Sequence, residues 1–397
     1  MLTISNKGRL MPESPIRKLV PYAEKAKKNG VKVFHLNIGQ PDIETPFSAI
    51  EAVKNSNIKV LAYSKSEGDY ELRNKICDYY SKISIKIDES QVIVTSGASE
   101  ALLFTIGSIM DPGDEIIIPE PFYANYNGFS VANGVNIVPI FSSIDNNFEL
   151  PKIQEFENLI SSNTKAILIC NPNNPTGYVY SYDEIKTLVE IVKKHNLFLI
   201  ADEVYREFTY DNVSHTSILQ FDDIKQHAIV IDSVSKRYSM CGARIGCIIS
   251  KNSEFISTAM KFAQARLSPP TLAQIASTAA MDTGEDYFNK VINEYNDRRK
   301  TLVEGLNEIP GVKVSEPKGA FYCVVELPVN NSEHFAKWLL EEYSLNQETI
   351  MVAPAAGFYS TPNIGQNQVR IAYVLNQSDL KSCINILKNG LMEYLKQ

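Results

Sequence analysis

Between residues 91 and 250 the chain alternates short apolar runs with stretches of helical periodicity. The runs are QVIVT (91–95), EIIIP (115–119), NIVPI (136–140), KAILIC (165–170), LFLIAD (197–202), AIVIDS (228–233) and RIGCIIS (244–250). A strand that alternates apolar and polar residues buries one face. One that is apolar nearly throughout buries both, as in a mostly parallel sheet wrapped by helices. The connecting stretches carry the helical period. Ser181 stands three residues before Glu184, the spacing of a capping box, and Ile185, Leu188, Val189 and Val192 then share one helical face. A final helix is predicted from near Ser378, with Leu380, Cys383, Ile384, Leu387 and Leu391 on its buried side. Strands alternating with helices predict an α/β fold with a mostly parallel central sheet.

Near residue 285 the pattern changes. A long charged helical stretch, EDYFNKVINEYNDRRKTLVEGLNEI, leads to Pro310-Gly311, and a strand (GAFYCVVEL), a helix and a strand (QVRIAYV) follow. This is an α+β mixture. The chain's 397 residues also exceed the roughly 250–300 that one core usually holds. We therefore expect a large domain over 48–285 and a smaller one built from 1–47 and 286–397.

Composition narrows the function. Hydrophobic residues make up 44% and charged residues 21%, ordinary values for a globular protein, and no apolar stretch reaches the roughly 18–20 residues that span a bilayer. The N-terminal MLTISNKGRLMPESPIRKL lacks the apolar run of a secretory signal, so a cytoplasmic location and no membrane partner are expected. Lys and Arg total 39 against 46 Asp and Glu, a net −7 with the basic residues dispersed, which argues against nucleic acid. Six cysteines without a CxxC pair read as free thiols, and five histidines without HExxH give no metal ligand set. No metal is expected.

Ligands of open α/β sheets gather where strands end, because loops converge there and helix N-termini point inward. Lys236, in DSVSKRYSMCGARIG, falls just past AIVIDS, with Ser233, Ser235 and Arg244 around it. A lysine that condenses with a carbonyl must be deprotonated, against an unperturbed pKa of about 10.4, so it needs burial or cationic neighbours. Two serines and an arginine also suit a phosphate dianion. The same string describes an ordinary solvated loop. SGASEALLF (96–104) opens a helix after QVIVT, so amides near Ala98 and Ser99 offer the positive end of a helix dipole to an anion, with Gly97 permitting close approach. It equally describes a plain helix start. Asp202 ends LFLIAD, where a buried carboxylate needs a cationic partner such as a protonated pyridine nitrogen, or else caps a turn; Tyr205 stands three residues on. NPNNPTG (171–177) is made of turn formers, although its Asn174 would also donate to a phenolate oxygen.

Taken in order, these strings resemble the class I/II aminotransferases, pyridoxal-phosphate enzymes of the aspartate aminotransferase fold, over essentially the whole chain. The signature SxSKxxxxxGxRxG runs from Ser233 through Lys236 and Arg244 to Gly246, preceded by DEVY and, before that, by NPNNPTG. The resemblance implies pyridoxal 5'-phosphate as cofactor, with an amino acid and a 2-oxo acid as substrates. It implies that Lys236 holds the cofactor and then shuttles a proton, that Asp202 keeps the ring nitrogen protonated, that Asn174 and Tyr205 bind the ring's phenolate oxygen, and that Tyr123, in PFYANY, stacks on the ring. Ala98, Ser99, Ser233, Ser235 and Arg244 would hold the phosphate.

Arg370, in QVRIAYV, matches the arginine that takes the substrate α-carboxylate, with Asn174 and with Gly39, in LNIGQPD, beside it. Tyr63, in AYSKSEG, matches a tyrosine that reaches the neighbouring subunit's phosphate, which implies a homodimer with shared active sites. In dicarboxylate-specific members a cation from the neighbouring subunit takes the substrate's side-chain carboxylate; Arg266, in QARLSPPT, is the nearest candidate for it, and it equally suits a structural loop. SPIRKL (14–19) resembles members of broader or aromatic preference, in which Ile16 lines the pocket. L-aspartate with 2-oxoglutarate is the first expectation and an aromatic or broad range the second. A carbon–sulfur β-lyase on the same fold would carry the same cofactor residues. A regulator built on this fold needs an added helix-turn-helix segment, for which the sequence leaves no room, and a dinucleotide enzyme needs a GxGxxG that is absent.

Overall fold

The computed structural model describes residues 2–397. Among them, thirteen strands form three sheets. β1 (Lys32–His35) belongs to the smallest. The seven apolar runs become β2 (Val92–Thr95), β3 (Glu115–Glu120), β4 (Asn136–Phe141), β5 (Thr164–Cys170), β6 (Phe198–Asp202), β7 (Ala228–Ser233) and β8 (Gly246–Ile249) of the largest, in the order β2-β8-β7-β6-β5-β3-β4. Neighbours are parallel except at β8, which runs antiparallel to both β2 and β7. β8 therefore begins at the edge where the other six end.

The uninterrupted apolar character of these runs has a direct cause. Along β5, β6 and β7, Ile167, Ile169, Leu199, Ala201 and Val230 pack in one core with the helix Tyr182–His195, while Ala166, Leu168, Ile200, Ile229 and Ile231 point to the opposite core. Period-two alternation with both faces covered requires an apolar residue at every position. β4 departs from that expectation. It is the edge strand, with Asn136 exposed and Ile137, Val138 and Pro139 half-buried, and an edge is where a proline lacking an N–H is tolerated.

The helices follow their caps. The Ser181 hydroxyl accepts from the Glu184 amide at 3.2 Å, and the Glu184 carboxylate accepts from the Ser181 amide at 2.7 Å. The last helix spans Gln377–Tyr394 and is capped by Asn376, slightly ahead of the predicted start. Ile386 joins its buried row, whereas Ile384 sits on the flank over Gly305, where an added Cβ would come within 2.7 Å of it.

Beyond the long helix Glu285–Asn307 lie β9 (Lys313–Val314), β10 (Tyr322–Glu326), β11 (Glu348–Met351), β12 (Ala353–Pro354) and β13 (Gln368–Ala372). β12-β13-β10-β9 form an antiparallel sheet, and β1 pairs in parallel with β11, fastening the N-terminal segment to the C-terminal elements. No described helix is long and apolar enough to cross a membrane.

Candidate active site

The carboxyl edge of the large sheet faces β10 and β13 across a cleft of about 770 Å³. Twelve of the sequence-predicted site residues line it: Gly39, Ala98, Ser99, Tyr123, Asn174, Asp202, Tyr205, Ser233, Ser235, Lys236, Arg244 and Arg370. The sheet topology explains why. β2 ends at Thr95 and leads into the helix Ala98–Ile109; β5 leads into the loop 171–177; β6 ends at Asp202; β7 leads into Lys236; and β8, arriving from the opposite direction, delivers Arg244 just before its first residue.

These strand ends build an anion cup. The hydroxyls of Ser233 and Ser235 lie 2.7 Å apart, and Arg244 donates from its guanidinium only to the Cys241 carbonyl, at 3.0 Å, with no carboxylate partner among the described residues. Arg244 itself holds a left-handed backbone, φ 55° and ψ 50°, an unusual state for a residue with a Cβ. Its guanidinium rests against Gly97, where a Cβ would fall 2.2 Å from the nitrogen, so only glycine lets the cation reach the N-terminus of the helix Ala98–Ile109. Cation, two hydroxyls and helix amides converge on a volume suited to a phosphate.

On the other side of Lys236 lies a second set. Its Nζ donates to the Gly39 carbonyl at 2.8 Å and sits 3.5 Å from the Cys241 thiol. Asp202 is buried; its Oδ2 accepts from the Tyr126 hydroxyl at 2.8 Å. Burial pushes its carboxyl up to about 6, and the Tyr126 hydrogen bond works against that rise. In the loop 171–177, Asn171 and Asn173 spend their side-chain oxygens on the Tyr180 and Thr176 amides, so Asn174 alone faces the cleft. Tyr123 is edge-on to Tyr126, its hydroxyl accepting from Asn125 at 2.8 Å.

Arg370 is 1% exposed and lacks any carboxylate partner among the described residues. It donates to the Asn174 oxygen at 3.0 Å and to the Asn37 carbonyl, and its Nε has no partner. A guanidinium buried without its counter-ion is costly, and burial depresses its proton affinity. The arrangement suits an incoming carboxylate.

Two predicted residues lie elsewhere. Arg266, expected to meet a substrate side-chain carboxylate, is engaged within its own chain. It pairs with Glu100 at 2.6 Å and donates to the Ser66 and Val94 carbonyls at 3.0 and 3.3 Å, so it braces the helix that opens the anion cup. Tyr63 is 80% exposed, and the apolar side chains of Val60 and Leu61 in its own segment and of Leu267 and Leu272 in the segment hydrogen-bonded to it are exposed as well. Hydrogen bonds from Ser66 to the Leu267 carbonyl (2.6 Å) and from Thr271 to the Ala62 carbonyl (3.2 Å) tie the two segments that carry these side chains together.

Ile16 lines the cleft, as does Arg17, which forms no ion pair among the described residues. Tyr126 and Tyr322 were not singled out from the sequence. Tyr126 lies in the first turn of the helix Asn125–Asn133, three residues after Tyr123, with nothing local to tie it to Asp202; Tyr322 opens β10 with nothing polar beside it to mark it. No group of three or more His, Cys, Asp or Glu side chains able to hold a metal occurs among the described residues.

The architecture is the aspartate aminotransferase fold: the chain superposes on an aspartate aminotransferase of Thermus thermophilus with a TM-score of 0.90 at 26% identity, covering 98% of this chain and 100% of that one. An alanine aminotransferase of Pyrococcus furiosus gives 0.90 at 28% identity, with coverage of 98% and 100%. In sequence, the aspartate aminotransferase of Pyrococcus horikoshii is 32% identical over 394 residues, 98% of this chain and 97% of that protein. Residues 31–387 match the family model for aminotransferase class I and II. The chain belongs to the class I and II aminotransferase family, and it is an aminotransferase.

Proposed function

We propose that the protein uses pyridoxal phosphate to move the amino group of L-aspartate to 2-oxoglutarate, as a cytoplasmic homodimer. The observation that carries this is one cleft in which Lys236 stands between an anion cup and a buried guanidinium with no counter-ion. The uncommitted Arg244, and the space at Gly97 that any Cβ would fill, support a cofactor phosphate there.

When bound, pyridoxal phosphate supplies an aldehyde that condenses with amines and a protonated ring that withdraws electrons from the substrate carbon. The chain does the rest. Ser233, Ser235, Arg244 and the amides of Ala98 and Ser99 hold the phosphate, and Tyr123 packs on the ring face. Asp202 holds a proton at the ring nitrogen, and that charge in turn relieves the isolation of the buried carboxylate. Asn174, whose oxygen already serves Arg370, has its amide N–H free for the ring oxygen, toward which Tyr205 also donates. Arg370, beside Gly39, grips the substrate α-carboxylate and so fixes which bond at the α-carbon faces Lys236. Lys236 Nζ would take the proton from the substrate α-carbon and hold it for return, as general base and then acid. Tyr63 reaches the partner's phosphate.

Arg17, unpaired at the cleft, and relatives named for aspartate favour a dicarboxylic donor. A second reading, a broad or aromatic range, is favoured by Ile16, Ile38 and Leu102 in the same cleft. A panel of amino acids assayed against 2-oxoglutarate separates the two: kcat/KM for aspartate is expected to exceed that for phenylalanine and alanine by at least about tenfold, the size of one modest charged contact. Pyruvate and ammonia released from cysteine-type substrates, with no amino transfer, would indicate a β-lyase instead. Sedimentation is expected to give a dimer mass for the wild type and a monomer for Leu61→Asp, since a charge among the exposed apolar side chains of the Tyr63 segment opposes their burial. A monomeric wild type would remove the shared site.

A further inference from the structure

Tyr322 is buried at the start of β10, and three features of the cleft meet on it. Its hydroxyl lies 2.9 Å from that of Tyr205. Its ring carries the Arg370 guanidinium, 4.5 Å from the ring centroid. A Cβ on residue 39 would fall 1.7 Å from the same hydroxyl oxygen, so glycine at that position is what admits it. The Gly39 carbonyl, in turn, accepts from Lys236.

Counting protons fixes the direction of the tyrosine pair. Each hydroxyl has one proton to give. Burial first, and Tyr322 next, hold the Tyr205 phenol well above its ordinary value, so Tyr205 remains a donor at any working pH. If that proton points at the ring oxygen, the bond between the two tyrosines must be made with the proton of Tyr322.

We propose that Tyr322 is a positioning residue: its hydroxyl donates to Tyr205 and turns the Tyr205 proton toward the cofactor ring oxygen, while its ring supports Arg370. This rests on the assignment of pyridoxal phosphate to the cleft. One side chain thereby links the ring-oxygen donor to the carboxylate fork. Donors in series polarise one another, so removing the outer one weakens the inner, leaves the ring oxygen more basic, and lets the protein-linked chromophore keep its proton to higher pH.

The test is an absorbance titration of the holoenzyme. Tyr322→Phe is expected to raise the chromophore's midpoint by about half a pH unit to one unit. Its kcat should fall roughly fivefold to tenfold, while KM for aspartate changes less than about twofold because the ring under Arg370 is kept. Tyr322→Leu, which removes the ring as well, should raise KM by roughly fivefold to tenfold. A Tyr322→Phe midpoint that stays put or moves down overturns the inference, whatever happens to kcat. A wild-type protein that forms no chromophore with pyridoxal phosphate overturns the cofactor assignment beneath it.

Discussion

Lys236→Ala is expected to abolish transamination and the visible absorbance of the cofactor-loaded protein together. Both losses come from one amine. Nζ is the only lysine nitrogen lining the cleft among the described residues, and it stands within hydrogen-bond reach of Gly39, beside the carboxylate fork. Proton transfer by a placed side chain is worth about 100- to 10,000-fold, and the covalent tether adds to that, so turnover should drop by more than about 1,000-fold. Steady-state assay and a visible spectrum of the same preparation check it. A variant that kept a tenth of wild-type turnover, or borohydride labelling at another lysine, would sink the assignment. Its fold should be unchanged, because no ion pair forms at Lys236.

Asp202→Asn combines a catalytic loss with a structural gain. Removing one member of a buried charge pair costs about 3–5 kcal/mol, which predicts a fall in kcat of a few hundred- to a few thousand-fold once the ring nitrogen loses its counter-ion. In the cofactor-free protein the sign reverses. Burial raises the folded-state value to about 6 from 3.8, so the folded chain binds this proton more tightly than the unfolded chain. Stability is therefore lost as pH rises from about 4 through about 6, and above that the ionised carboxylate costs about 3 kcal/mol. Urea midpoints of the cofactor-free protein should show Asp202→Asn more stable than wild type at pH 7.5, with the gap shrinking toward pH 4.5. Equal midpoints at pH 7.5 would mean that Asp202 is not isolated in the way its burial indicates. A site held at the fold's expense is a common compromise at functional residues.

The large sheet was legible because burial on both faces leaves nowhere for a polar residue, so its inner strands announced themselves as solid apolar runs. β9 and β12, two residues each, are too short for any period to show, and β1 and β11, no longer than β2 or β8, break their apolar run with Lys32 and His35 and with Glu348 and Thr349. The cleft was legible wherever its residues sit at strand ends inside recognisable strings. Tyr126 and Tyr322 escaped because each acts on a partner far along the chain, 76 residues to Asp202 and 117 to Tyr205, and no local pattern records such a contact. Arg266 was open to two readings, and the structure favours the structural one within its own chain. No local pattern could decide between them, because the carboxylate that pairs with it, Glu100, lies 166 residues away.

The reversal of β8 has a cost-saving effect on the geometry of the phosphate end. A sheet with every strand pointing one way delivers only outgoing chain to its carboxyl edge, and each new contribution there requires a return trip over a full crossover helix. One strand turned around lets the polypeptide leave at Ser233, loop once, and re-enter at Gly246, so tether and guanidinium are cut from a single hairpin of the backbone. Their separation is then governed by the single connection 234–245, which holds the helix Val234–Arg237 and the turn Cys241–Ala243, so an insertion between Lys236 and Arg244 would shift one against the other.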